Sequence, residues 1–310
     1  MGWNMNLHRE VTLPGMITPA ERDARRDAGL DTCALHIPAG FQRDVLARRA
    51  PVIQLSVDAT RMSQAFTGSG YIQRIVQDEV NAFVSRDRAV TGVPVELALR
   101  ARFNPELNPA WFGGVMQIIN NITMLSIILT GAALIREREH GTLEHLLVMP
   151  VTPFEIMAAK VLAMAAVVLL ASGFALNVVV RGLMGVPIEG SLPLFFFGTA
   201  LHLFATTSLG IFLATLARSM PQFGMLLLLV LLPLQMLSGG STPREGMPEM
   251  VQAVMLAAPN THFVMLSQAI LYRGAGLEVV WPQLLSLAVI GSALFMFSLA
   301  RFRKALAAMA

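Results

Sequence analysis

Lysine is almost missing from this sequence. Only Lys160 and Lys304 occur among 310 residues, so the basic pI of 9.6 rests on arginine. A net charge of +3 is too small to argue for a nucleic-acid partner. Cysteine occurs once, at Cys33, which excludes an intramolecular disulfide. Six histidines without paired ligand spacing speak against a metal site. Charge is thin throughout, at 14% against about 25% in an ordinary soluble chain. No G-x-x-x-x-G-K-[ST] phosphate loop surrounds either lysine, so no nucleotide site is read on this chain. The opening "MGWNMNLHREVTLPGM" lacks the apolar core of a secretory signal.

The charge that is present is unevenly placed. Residues 1–109 hold 13 of the 23 basic and 12 of the 20 acidic residues and read as a soluble domain. Residues 110–310 read as a second, membrane-embedded domain. A span needs roughly 20 apolar residues to cross about 30 Å of hydrocarbon. Five charge-free runs qualify: Phe112–Ile135, Val161–Val180, Leu192–Ala217, Ser219–Leu237 and Val279–Ala300. Backbone groups in lipid must be satisfied within the segment, so each run is expected to be a helix. A sixth stretch, Met250–Tyr272, is broken by "APNTHF", because Pro259 disfavours helix at Ala258. Thr261 is expected to cap the helix that follows. Each half, about 10 residues or about 15 Å, is too short to cross. The expectation is a re-entrant or interfacial pair, with a kinked full span as the competitor.

Orientation follows from basic residues in short loops. Arg136, Arg138, Lys160, Arg218, Arg301, Arg303 and Lys304 fall on one side if there are five spans, so that side and the C-terminus are expected to be cytoplasmic. Residues 1–109 are then extracytoplasmic. With no export signal in them, a further N-terminal span is expected to have preceded them. Within this domain "ALHIP", "PVIQLSVDA" and "VPVELALRARF" read as strands, and "AGFQRDVLARR" as a helix between the first two. "MSQAFTGSGYIQRIVQDEVNAFVSR" reads as an amphipathic helix, with Ile72, Ile75, Val76, Val80 and Phe83 at helical spacing. Together they suggest a small α/β layer suited to binding or gating.

The densest polar stretch after the first oily run is "REREHGTLEHLLVMPVTPFEIMAAK", residues 136–160. Thr142 can cap a short helix, with Glu144 near its positive end and Pro150 as its stop. "TPFE" then reads as a capping box: Thr152 at the N-cap, Pro153 first, Glu155 third. A short helix is thereby pinned between two spans. It reads either as a solvated turn or as a docking knob that passes a push to both spans.

This stretch closely resembles the E-R-E-x-G-T-x-E-x-L-L-V-x-P-V-x-x-x-E-I signature of ABC-2 type transporter permeases, of the YhhJ-like inner-membrane drug-export branch. Arg136, Glu137, Glu139, Gly141, Thr142, Glu144 and Pro150 match, and Glu155 falls on the closing E-I pair. The resemblance continues through "SGGSTPREGMPE" and "AAPNTHF". It implies that the 142–150 segment is a coupling helix docked on a separate ATPase, which carries the ATP and Mg. It further implies a second permease, as homodimer or paralogous heterodimer, a periplasmic adaptor, surrounding membrane lipid, and a hydrophobic drug-like or lipid-like substrate exported outward. Family members have six spans; the first, and the start of the outer domain, are not seen here.

Other polar residues in the spans carry weaker expectations. Gln117, Asn120 and Asn121 share one helix face, which reads as a transport path or as a dimer seam. His202 reads as a hydrogen-bonded packing residue or a proton relay. Arg181 follows Asn177 by four residues and snorkels to an interface or meets an anionic substrate group. Two alternatives come from other classes. One is a non-transporting anchor or sensor. The other is an intramembrane hydrolase using Ser241 or His262, although the G-x-S-x-G elbow is absent.

Overall fold

The computed structural model describes residues 33–38, 40–47, 49, 51–58, parts of 71–79, 96–102, 109–141, 150–217, 219–240, 244 and 247–307. The expected coupling helix, Thr142 and Glu144 with it, lies outside the described residues, as does Ser241.

A three-stranded sheet forms the N-terminal part. Strand β1 (Cys33–His36) is joined through helix α1 (Phe41–Leu46) to β2 (Val52–Asp58). They pair antiparallel, Cys33 opposite Val57 and His36 opposite Gln54. β3 (Glu96–Arg102) adds to the other edge of β2 in parallel, Val52 opposite Glu96. A parallel neighbour requires a crossover, and the residues of 71–79 that are described, within it, are helical. Ile53 and Leu55 alternate toward the buried face of β2. The strands and the first helix stand where the alternation placed them; most of the expected amphipathic helix over 62–86, with Val80 and Phe83, lies outside the described residues.

The rest is helical. α2 runs Pro109–Glu139, and α3 (Pro153–Phe174) continues as a wider, π-helical segment, Ala175–Leu183. α4 covers Leu192–Leu216, α5 Met220–Met236, α6 Glu249–Met255, α7 Pro259–Leu271 and α8 Leu277–Ala307. By length and composition α2, α3 with its extension, α4 and α8 can cross a membrane. The fourth expected span is the 17-residue α5, at the short end of what crosses. α2, α3 with its extension and α8 overrun the charge-free runs at their ends, whereas α4 and α5 do not.

The break at Pro259 is where expected, but its cap is not. Ala258 is extended, Pro259 opens α7, and Thr261 is buried inside the helix and does not cap it. A proline at the first helical position already supplies the fixed φ and lacks the N–H that a cap would satisfy. α6 and α7 meet at 88°, in halves of 7 and 13 residues. So sharp a bend makes them a broken pair, either one broken span or a re-entrant loop.

α4 is the hub: it packs on α8, α2, α3 and α7. Lipid tails are as apolar as leucine, so helices in a bilayer associate by close packing and interhelical hydrogen bonds rather than by expelling water. α4 is built for that. A Cβ on Gly210 would stand 2.7 Å from the Ile127 carbonyl oxygen, so only glycine lets α2 and α4 approach this closely. Thr199, Thr206, Thr207 and Ser208 return their hydroxyls to carbonyls three or four residues back, which satisfies them without water. From α8, the Ser298 hydroxyl donates to the Ser208 carbonyl at 2.8 Å.

Candidate functional site

Two polar constellations stand out in the bundle, beside the Ser298–Ser208 hydrogen bond. The first lies where α2 ends, and it is made of the charged motif. Glu137 takes the Lys160 ammonium on both carboxylate oxygens, joining α2 to α3. One residue on, Arg138 Nη2 donates to the Ala217 carbonyl at 2.6 Å, at the end of α4. Glu139 accepts from the backbone N–H of Met220 at 3.1 Å, at the start of α5. Three consecutive residues thus point three ways around the helix, since successive side chains lie about 100° apart. They tie α2 to α3, α4 and α5.

The helix termini explain the choice of partners. Ala217 caps α4, where carbonyls lack helical donors and the dipole end is negative, so a guanidinium suits it. Met220 opens α5, where N–H groups are free and the end is positive, so a carboxylate suits it. Opposite charges at adjacent positions of α2 therefore read opposite helix ends.

The remaining motif residues frame this clamp. Arg136 is exposed, and its carbonyl accepts from His140 Nδ1 at 2.8 Å. Gly141 turns the chain away with φ +68°, a left-handed value that favours glycine. Pro150 is an exposed bend. Thr152 and Glu155 form the capping box: Glu155 accepts from the Thr152 N–H at 2.7 Å, and the Glu155 N–H donates to the Thr152 hydroxyl at 3.3 Å. Thr152→Ala is expected to cost about 1 kcal/mol. Thermal unfolding in detergent checks it, and a melting curve identical to wild type contradicts the assignment.

The second constellation is buried. The Thr123 hydroxyl on α2 donates to Asn260 Oδ1 on α7 at 2.7 Å and lies 2.9 Å from His202 Nε2 on α4. Asn260 Nδ2 donates to the Leu234 carbonyl at 2.8 Å and to the Ser238 hydroxyl at 2.9 Å, at the end of α5. The Thr123 hydroxyl also lies 3.3 Å from the Ile119 carbonyl one turn back, and His202 Nδ1 has no partner among the described residues. Its ring stacks on Phe263, centroids 4.0 Å apart. A turn along, the Ser126 hydroxyl donates to Thr206 at 2.7 Å. His202 is thus a hydrogen-bonded packing residue, and the network binds α2, α4, α5 and α7.

The other polar candidates are placed as follows. Gln117, exposed, donates to Asn121 at 3.1 Å, and the Asn120 carbonyl accepts from Gln235 at 3.4 Å. Arg181 is held by Asn177 at 3.1 Å on the π-helical segment. His262 Nε2 meets the Leu256 carbonyl at 2.8 Å, which holds α6 against α7 and occupies that nitrogen. Sequence reasoning assigned Arg138 and Lys160 to orientation alone and missed their part in the clamp. The available signal was the strict alternation of sign at 136–139. It did not see Asn260 or Thr123 at all.

Membrane-length helices gathered on one hub, with an interior polar network and a charged clamp at one end, define a multi-pass α-helical membrane protein. The chain belongs to the ABC-2 family transporter proteins, whose match covers residues 22–300. It is 67% identical to the inner membrane transport permease YhhJ of Escherichia coli strain K12 over 297 residues, 96% of this chain and 79% of the relative. It is 29% identical to the probable multidrug ABC transporter permease YbhR of the same strain, over 87% of this chain and 73% of the relative. With the probable multidrug ABC transporter permease YbhS it shares 29% identity over 81% of this chain and 67% of the relative.

Proposed function

We propose that this protein is the permease subunit of an ABC exporter in the inner membrane, moving a hydrophobic, drug-like or lipid-like substrate outward with ATP hydrolysed on a separate subunit. The observation that carries the reading is the clamp. Residues 142–149 follow directly after it, so a push on them bears on the end of α2 and, through Glu137, Arg138 and Glu139, on α3, α4 and α5 together. In this reading the clamp end is cytoplasmic and residues 1–109 are extracytoplasmic. A second permease, identical or paralogous, covers the face of Gln117, Asn120 and Asn121, because Gln117 is exposed, the two asparagines are half-buried, and amides against lipid are costly. The same face borders the substrate path.

Affinity purification of the full chain from native membranes should bring an ATPase subunit with it. Gly141→Ala together with Glu144→Gln should lower substrate-stimulated ATP hydrolysis about tenfold, a common size for coupling between sites. Membrane insertion should be unchanged. Gly141→Ala acts through backbone strain, since φ is positive there. Recovery of no ATPase subunit from intact membranes contradicts the reading.

A further inference from the structure

Arg244 sits in the short connection between α5 and α6, and its surroundings are unusual for a cation. Its stem lies over Gly239, where an added Cβ would come within 3.0 Å of Cγ. Its backbone is held by a turn in which the Met247 N–H donates to the Arg244 carbonyl at 3.0 Å. Gln252 on α6 fastens that turn by donating to the Met247 carbonyl at 2.9 Å. The side chain is therefore delivered to a set place. There its guanidinium finds one partner among the described residues, the Met265 sulfur, 3.2 Å from Nη1. Nε is buried and has no partner among the described residues.

The depth of this head follows from α7. Asn260 meets Thr123 and Gln268 meets Met116, so Met265 stands between those levels on α2. Both levels lie inside the apolar run Phe112–Ile135, in the half away from the clamp. A guanidinium with five N–H donors is thus held within membrane depth against a sulfur, which is a weak acceptor. Ionisable residues at such depth are costly and pair with something. A planar fork of donors matches the oxygens of a carboxylate or phosphate.

We propose that the Arg244 head is a binding site for an anionic oxyacid group, carboxylate or phosphate, carried on an apolar tail. The tail fits the setting, because the neighbouring surface of α5 exposes Met225, Leu228, Leu229, Leu232 and Met236. An acid-headed amphiphile enters sideways from the bilayer, and its head replaces the Met265 sulfur as the partner of Arg244. The inference rests on the exporter reading only in treating such an amphiphile as a substrate class. Binding itself requires no ATP, so its failure and the failure of the ATPase assignment are separate results.

The full chain, with whatever subunits co-purify, is placed in phosphatidylcholine vesicles. It is exposed to a diazirine-bearing palmitic acid and, separately, to the matching diazirine-bearing hexadecanol. The acid should label residues 237–272, and the alcohol should label them far less. Arg244→Gln should reduce acid labelling by about tenfold or more, the scale of a lost hydrogen bond to a charged group. Arg244→Lys should retain a substantial part. Arg244→Met, which keeps an unbranched stem over Gly239, repeats the test if the glutamine variant inserts poorly. Added phosphatidylglycerol distinguishes two supporting outcomes: competition identifies a lipid headgroup as occupant, and no competition identifies a single-chain acid. Equal labelling by acid and alcohol overturns the proposal, as does labelling of Arg244→Met and Arg244→Gln at the wild-type level.

Discussion

Lys160→Glu is expected to abolish substrate-stimulated ATP hydrolysis, and the exchange Glu137→Lys with Lys160→Glu is expected to restore part of it. The two groups are in direct contact and largely shielded, with side chains 16% and 32% exposed. A surface ion pair would be worth under about 1 kcal/mol. Reversal is a harsher change than deletion. It places a second carboxylate against Glu137 where the cation was, and like charges forced together cost several kcal/mol. The repulsion falls between the end of α2 and the start of α3, on either side of the 142–149 segment. The two helices should separate there and the segment lose its footing. The exchange returns attraction at the same place. It restores only part, because the longer lysine stem then stands on α2 and the shorter carboxylate on α3, so the contact is remade in a different geometry. ATPase assays on single and double variants in vesicles decide the matter. A Lys160→Glu variant at wild-type activity, or a double variant no better than the single, removes the clamp from the coupling mechanism.

Asn260→Ala should produce the largest loss of stability. One amide side chain ties α7 to α2 through Thr123 and to the end of α5 through Leu234 and Ser238. Its site is fully buried, so water cannot replace what is removed. Interhelical hydrogen bonds in membranes average about 0.6 kcal/mol and reach about 2. Three lost together, with Thr123 left only its 3.3 Å contact to the Ile119 carbonyl, amount to roughly 2–4 kcal/mol. Unfolding in mixed micelles measures it, and the broken pair α6–α7 should come free first, as limited proteolysis near residue 258 would register. A variant within about 0.5 kcal/mol of wild type would show that packing around Phe263 holds α7 without the amide. Thr123→Val should cost less, since Asn260 keeps its two bonds to α5.

These two results bear on different layers of legibility. Lys160 and Glu137 are 23 residues apart and flank a capped turn. Their pairing could have been guessed once the two helices were known to run antiparallel. The Arg138 and Glu139 contacts, 79 and 81 residues away, could not. Nor could the meeting of Thr123 and Asn260, 137 residues apart. A threonine in an apolar helix has the same local look whether it bonds only its own backbone, as Thr207 does, or reaches a neighbour as well, as Thr123 does. The cap of α7 was misplaced for a related reason. Thr261 has a cap's chemistry, but Pro259 starts the helix two residues earlier and draws Thr261 into its interior.

By itself the sequence determined the apolar helices and their order, the break at Pro259, the capping box at Thr152 and Glu155, and the turn at Gly141. Each of these is set within a few residues, by the thickness of hydrocarbon, a missing N–H or a positive φ. Only the tertiary structure decided that α4 is the hub, that three successive charges grip three different helices, and that Asn260 joins α7 to α2 and α5 in the interior. Lipid accepts every face of an apolar helix almost equally well. The arrangement is therefore selected by a few close backbone approaches, such as Gly210 on Ile127, and by buried polar groups that have nowhere else to go.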